Sequence, residues 1–371
     1  MAKILLIEPY FTGSHKSWAV DYQANSSHTI EIISLPGKFW KWRMHGGAIT
    51  LADQFMKMNF IPDLILATDM LDVTTFISLT KKKTSHLPVV LYFHENQLSY
   101  PWSKQDRDVQ RKRDQHYGFI NIASALAADH VLFNSQFHLD SFHLEGEKLL
   151  KNFPDYNETK TMDTIKKKSQ VLYLGMDLEK FDEFKVTAFK NPLIVWNHRW
   201  EYDKNPESFF KCMIELKDRG AVFNLAILGE SFSTKPSIFD EAKTKLSKEI
   251  VHFGYCNDFS QYATWLCKAD ILPVTNNQDF FGGSIVEAIY CGAFPILPKR
   301  LSYPELLPKE RHKTHLYERE KELVDMIEDA ITNIKKTRKV SLASDFKRFD
   351  WKNMNSKYDQ LFSTILDQHK N

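Results

Sequence analysis

The chain has 371 residues, of which 43% are hydrophobic and 26% charged, and its formal net charge is +2. That length exceeds one ordinary core and points to two domains, and the composition is that of a globular protein, not a disordered one. So small a net charge excludes a globally basic or acidic partner surface, leaving any nucleic acid to be met by a local patch.

Nearly continuous apolar runs at 3–8 (KILLIE), 29–35, 63–68, 89–95, 130–135 and 170–174 predict strands buried on both faces of a parallel sheet. Helical patterns lie between them near 49–58, 107–128 and 136–152. Such alternation predicts a doubly wound α/β sheet, whose ligands bind beyond the carboxyl ends of the strands. After the first strand, Gly13, Ser14 and His15 are expected in a loop before a helix, where backbone donors suit a phosphate and an ordinary turn suits equally. After the fourth strand come His94, Glu95, Asn96 and Gln97, four hydrogen-bonding residues in a row. They are expected to form a site, with His94 placed to touch substrate; the alternative is a core histidine bonded to backbone.

The stretch 37–47 (GKFWKWRMHGG) interleaves Lys38, Lys41 and Arg43 with Phe39, Trp40 and Trp42. Cations for phosphates beside aromatic faces for bases suit looped RNA. They suit an anionic membrane surface as well, or a strand-edge loop with its tryptophans packed inward. The segment 102–116 adds Lys104, Arg107, Arg111, Lys112 and Arg113, but its aspartates make it a charged helix face, with Asp106 and Asp108 as charge at the helix head. Residues 155–168 read as a polar loop and 179–192 as the linker between the halves.

A second alternation follows, with strands at 193–198, 224–229, 250–255, 271–275 and 294–298, and helices near 206–219, 238–248, 259–268 and 283–291. From Asp345 one long amphipathic helical pattern carries Phe346, Phe349, Trp351, Tyr358 and Phe362 on one face. The stretch DFFGGSIVEAIYCG (279–292) runs from an apolar strand through Gly282 and Gly283 into a helix without a side-chain cap, so free N–H groups and the positive dipole end face whatever lies above the strand. Glu287 falls in the first turns of that helix. Arg199 and Lys204 lie in the loop after the strand at 193–198; arginine can hold a phosphate bidentately and lysine as a point charge. Together these residues suit a diphosphate and a vicinal diol, the parts of a nucleoside diphosphate. Taken singly, they suit surface ion pairs such as Arg199 with Glu201.

Other chemistries lack their motifs. There is no Walker loop, no G-x-G-x-x-G after the first strand, no nucleophile elbow and no H-E-x-x-H. His138 and His143 are five apart and do not share a helix face as ligands. Cys212, Cys256, Cys267 and Cys291 form no C-x-x-C pair, which fits a reduced, cytoplasmic compartment and makes the sequons at Asn25 and Asn157 chance matches. MAKILLIEPYF lacks the apolar run and cleavage site of a signal peptide, and no stretch approaches the ~18 apolar residues of a membrane span.

The strings GSHK, FHENQLSYP, FNSQF, HRWEYDKNPESFF, ILGE, FFGGSIVEAIYCG and PKRLSYPE resemble the glycosyltransferase-like family that contains tRNA-queuosine mannosyltransferase, within the retaining GT-B glycosyltransferases. The resemblance spans nearly the whole chain. It implies two Rossmann-like domains facing across a cleft, an acceptor domain over 1–185 completed by a C-terminal helix (345–371) crossing back, and a nucleotide-sugar domain over 190–344. It implies a metal-independent enzyme without a cofactor that moves mannose from GDP-mannose to the cyclopentenediol of queuosine in a tRNA anticodon.

By the same resemblance, Arg199 and Lys204 take the donor pyrophosphate, Glu287 takes the ribose hydroxyls, and Phe281, Gly282 and Gly283 offer backbone to phosphate and sugar. Gly13 and Ser14 approach the diphosphate, while His94 and Asp279 act at the transferred sugar, Asp279 standing where the group commonly has Glu. Lys38, Trp40, Lys41, Trp42, Arg43, Glu95, Asn96 and Gln97 are the expected acceptor-binding residues. Two other readings stay open: a lipid or glycan acceptor at a membrane surface, and a catalytically inert nucleotide-sugar binder.

Overall fold

The structure, a computed structural model, describes residues 1–102, 106–110, 115–231 and 236–370, excepting the side chains of Arg107 and Val109. Of the charged segment, Lys104, Arg111, Lys112, Arg113 and the Arg107 side chain lie outside the described residues. Two compact units emerge: Met1–Met176 with Trp351–Asn371, and Asp177–Asp350.

The first unit holds a six-stranded parallel sheet in the order β2-β1-β3-β4-β5-β6. Its strands are β1 (Lys3–Phe11), β2 (Thr29–Pro36), β3 (Leu64–Thr68), β4 (Val89–Phe93), β5 (His130–Phe133) and β6 (Ser169–Val171). Every residue of β3 and β4 is buried, as continuous apolar runs require when helices cover both faces. One layer of core gathers Leu5, Ile7, Phe55, Phe76, Phe93, Phe133 and Phe142; the opposite layer gathers Leu6, Trp18, Tyr22, Tyr92, Trp351, Tyr358 and Phe362. The C-terminal helix Trp351–Lys370 is thus part of this unit's second layer, its Tyr358 hydroxyl accepting from Trp18 Nε1 at 3.1 Å.

The second unit repeats the plan in the order β12-β11-β10-β7-β8-β9. Its strands are β7 (Leu193–Trp196), β8 (Asn224–Ile227), β9 (Ile250–Phe253), β10 (Ile271–Pro273), β11 (Phe294–Pro298) and β12 (Leu316–Tyr317). Helices start where the sequence supplies a cap: Asp258 accepts from the Gln261 N–H, and Pro206 opens the helix to Asp218 without needing a donor.

Several expectations from the sequence are corrected. Gly13, Ser14 and His15 are not in a loop; they open the helix Gly13–Asn25. Only Gly37, Lys38 and Phe39 of the stretch 37–47 lie in a loop; the helix predicted from 49 begins at Trp40 and runs to Lys57. Residues 160–167 form a helix that buries Met162 and Ile165, apolar positions three apart hidden in a polar stretch. Glu179–Phe184, read as linker, is a 3-10 turn whose Phe181 packs on Phe259 in the second unit. The single C-terminal helix is three pieces, Ala343–Phe346, Lys347–Phe349 and Trp351–Lys370. Phe349 packs edge-on against Phe281 in the second unit, whereas Trp351 begins the segment belonging to the first. The helices Val73–Thr84 and Glu320–Thr332 and the strand β12 were not anticipated.

Candidate active site

In the second unit, strand order brings the carboxyl ends of β10, β7, β8 and β9 side by side, and the polar residues gather there. The loop after β7 supplies Asn197, His198, Arg199, Asp203 and Lys204. Lys204 is 8% exposed, and its Nζ donates to Gln278 O at 2.8 Å and Asp279 Oδ1 at 3.1 Å, with Asp203 Oδ2 at 3.2 Å. Burial opposes its charge, but Asp279 and Asp203 outweigh burial and raise its pKa.

Asp279 is held from both sides. Its Oδ2 accepts from Asn276 Nδ2 and from the Tyr303 hydroxyl, each at 2.7 Å. Burial pushes its pKa up, but Lys204, His198 and these donors prevail, and the carboxyl stays ionised with a pKa below its usual range. A carboxylate offers about four acceptor sites, so three donors leave room for one ligand hydroxyl.

The helix Gly283–Tyr290 has no side-chain cap, and Gly282 before it sits at φ +94°. Only glycine holds that conformation without strain, and it leaves the first N–H groups free for an anion. Asn197 Nδ2 reaches back to Ser284 O at 2.6 Å, fastening the loop after β7 to this helix. Glu287, half-buried, accepts the Tyr262 hydroxyl at 2.7 Å; burial raises its pKa, and Tyr262 and Lys180 work against that.

Arg199 is half-exposed and lies 3.2 Å from Glu201, the surface ion pair considered from the sequence. Beyond β8 and β9 opens a pocket of about 330 Å³ lined by Gly229, Tyr255, Cys256, Asn257, Asp258, Phe259 and Tyr262. Gly229, at φ +109°, lets its chain pass the loop after β7: a Cβ there would come within 1.9 Å of His198 O. Arg199, Lys204, Asp279, Phe281, Gly282, Gly283 and Glu287 therefore all belong to one end of one sheet.

Sequence reasoning missed Asn197, His198, Tyr262, Asn276 and Tyr303. His198 is kept neutral by burial, its pKa pushed down to about 3, and its Nε2 is buried without a partner. The signals available were the strand-end position of Asn197 and His198 and, for Tyr303, the string PKRLSYPE; Tyr262 carried none.

In the first unit, Gly13 and Ser14 are exposed at the head of their helix, and His94 follows β4, 8% exposed. Asn96 and Gln97 are buried and Glu95 half-buried. Asn96 Oδ1 accepts from the backbone of Leu98 and Ser99 at 3.0 and 2.9 Å, which makes it a loop-former. Trp40 packs on Trp102 and Tyr117, and Lys41 pairs with Asp106 and Asp108. These two expected acceptor contacts are consumed inside the unit. Lys38 and Trp42 stay exposed, with Phe39 77% and Trp42 62% accessible. Arg43 is half-buried, its Nε donating to Pro36 O.

Comparison with known proteins assigns both units. Residues 3–176 match the family model for the N-terminal domain of tRNA-queuosine alpha-mannosyltransferase, and residues 179–344 match glycosyl transferases group 1. The tRNA-queuosine alpha-mannosyltransferase of Drosophila melanogaster is 37% identical over 317 residues, covering 83% of this chain and 82% of the relative. The chain belongs to the tRNA-queuosine alpha-mannosyltransferase family. Among solved structures, Anabaena HepE in complex with UDP and glucose aligns with a TM-score of 0.67 at 16% identity, over 98% of this chain and 100% of the other. Sucrose-phosphate synthase from Thermosynechococcus elongatus aligns with a TM-score of 0.69 at 13% identity, over 99% and 100%. At such identity these likenesses speak to fold alone. They place this member of the mannosyltransferase family in the GT-B class, as expected from the sequence. Among the described residues no helix is long and apolar enough to cross a membrane.

Proposed function

We propose that the protein is a retaining glycosyltransferase, transferring mannose from GDP-mannose to the cyclopentenediol of queuosine in the anticodon of a cytoplasmic tRNA. The observation that carries this reading is the buried Lys204 beside the uncapped helix Gly283–Tyr290, in a chain of this family. As the glycosidic bond breaks, charge grows on the leaving diphosphate. Arg199, Lys204 and the N–H groups after Gly282 are the groups to stabilise it, without a metal.

Lys204 already has three oxygens around Nζ, so a phosphate oxygen takes the place of one carboxylate contact when the donor binds. Glu287, oriented by Tyr262, receives the ribose hydroxyls, and the pocket beside Tyr262 receives the base. Asp279 uses its remaining acceptor site on a sugar hydroxyl. In the first unit His94 serves the acceptor, and the exposed Lys38, Phe39 and Trp42 meet the RNA.

The test is incubation with GDP-mannose and queuosine-containing tRNA, read on a boronate gel. Loss of the shift given by the free diol is expected, and it persists after exhaustive EDTA treatment of the enzyme. An unchanged shift with GDP-mannose and other nucleotide sugars refutes the reading.

A further inference from the structure

Five titratable side chains meet at the carboxyl edge of the first sheet: Glu8, His15, Asp69, His94 and Glu95. Strand order puts β1, β3 and β4 side by side, so Glu8, where the regular pairing of β1 ends, and Asp69 and His94, just after β3 and β4, become neighbours. Glu8 is fully buried with both oxygens committed, Oε1 accepting from the Tyr10 N–H at 2.8 Å and Oε2 facing His15 Nδ1 at 3.1 Å. Its job is to hold His15. The His15 ring lies 4.4 Å from that of His94, and one ring nitrogen of His94 comes within 4.8 Å of the Glu8 and His15 atoms.

The remaining polar atoms are not committed. Asp69, 2% exposed, gives Oδ1 to the His94 N–H at 2.8 Å and leaves Oδ2 without a partner among the described residues. Glu95 gives Oε1 to Gln97 at 3.0 Å and likewise leaves Oε2. His94, more than nine-tenths buried, has an unpartnered Nε2. Three carboxyl groups thus surround a single imidazolium.

The protonation states reflect that imbalance. Burial lowers His15, but Glu8, Asp69 and Glu95 outweigh it and raise the pKa to about 9, so His15 is charged. Burial keeps His94 neutral. Burial also pushes Asp69 up to about 8; His15 pulls against it, and Glu95 and Glu8 add to it. Near neutral pH Asp69 thus holds a proton, which a cation bound beside it would displace.

We propose that Asp69 and Glu95 receive the protonated secondary amine that links the cyclopentenediol of queuosine to its deazaguanine, while His94 Nε2 meets the diol beside it. This inference rests on the queuosine reading above. It assigns the cationic centre of the acceptor to two carboxylates and makes a charged amine, rather than the diol alone, the feature selected. A divalent cation on Glu8, His15 and His94 is the rival occupant. It would have to displace the proton that Glu8 holds on His15, and it would leave Asp69 and Glu95 unused.

The test uses the full-chain protein with two competitors, queuosine nucleoside and its N-acetyl derivative, whose amide nitrogen carries no charge. Against the wild type the acetylated nucleoside competes roughly 10- to 100-fold more weakly, the loss of one or two charge-assisted hydrogen bonds. Asp69→Asn keeps an oxygen for the His94 N–H; in it the two nucleosides converge and KM for queuosine-tRNA rises, with GDP affinity as the control for folding. Glu95→Gln gives the same convergence and serves if Asp69→Asn does not fold. Equal competition by the two nucleosides against the wild type overturns the inference while leaving the proposed activity standing. Stoichiometric zinc retained through dialysis and lost in His15→Ala overturns it in favour of a metal. No transfer to queuosine-tRNA overturns the acceptor reading and this inference together.

Discussion

Replacing Lys204 by methionine tests the centre of the proposed donor site, because it keeps the stem and removes only the charge. The ammonium is surrounded by Gln278 O, Asp279 Oδ1 and Asp203 Oδ2 within 3.2 Å, and the side chains of Lys204 and Asp203 are only 10% and 1% exposed. Removing one partner of a buried pair leaves an uncompensated charge, which costs about 3–5 kcal/mol. The shifts give the sign. Lys204 has a raised folded pKa, so its contribution is complete below the unfolded value of about 10.4 and fades as pH rises through the folded one. Asp279 has a lowered folded pKa, so its share is present above about 3.9 and fades as pH falls through the folded value. The penalty of Lys204→Met is therefore full near pH 7 and relaxes in acid as Asp279 takes up a proton. Urea unfolding of Lys204→Met, Asp279→Asn and the double variant at pH 7 measures it. A coupling energy of about 2–3 kcal/mol between the two sites is expected. A single-variant loss below about 1 kcal/mol with no coupling would refute the placement of Lys204 as a buried counter-ion.

Other residues give sharper single readouts. Glu287→Gln keeps its packing against Tyr262 but weakens ribose binding; donor KM is expected to rise about tenfold, the equivalent of roughly 1.4 kcal/mol, with kcat less affected. Arg199→Ala should lower kcat by about 10²- to 10³-fold if its guanidinium stabilises the leaving diphosphate, and an unchanged kcat would leave it a mere surface partner of Glu201. Glu8→Gln removes the largest contributor among the three carboxyl groups that raise His15 to about 9, so it should cost up to about 3 kcal/mol near pH 6, and the cost should vanish above pH 10, where His15 is neutral in both proteins. Gly229→Ala puts a methyl within 1.9 Å of His198 O at φ +109°, and about 1–3 kcal/mol of destabilisation is expected together with loss of nucleotide binding in a calorimeter.

Much of the proposed donor site was legible because its signals are local. Arg199 and Lys204 lie in one loop, and Gly282, Gly283 and Glu287 in one turn and helix, so their grouping could be read locally while their separate roles came from the family resemblance. The basic and aromatic stretch 37–47 misled in part for the opposite reason. Whether Trp40 and Lys41 face RNA or the protein depends on Trp102, Asp106, Asp108 and Tyr117, more than 60 positions away. The polar stretch 155–168 hid a helix because only Met162 and Ile165 carry its buried face.

The chain by itself determined the alternation of strands and helices, the two sheets and the glycine-led helix at Gly282, because burial on both faces and backbone conformation are written in adjacent residues. Only the tertiary structure decided what those residues do to one another. Asp279 is an ionised carboxylate because Lys204, Asn276 and Tyr303 converge on it, and Tyr303 lies 24 positions along the chain. Glu8, Asp69 and His94 form one cluster because the sheet runs β1-β3-β4, an order that no local pattern encodes. Charge states in a buried site follow from such non-local neighbours, since desolvation makes each group's protonation depend on whatever the fold sets beside it.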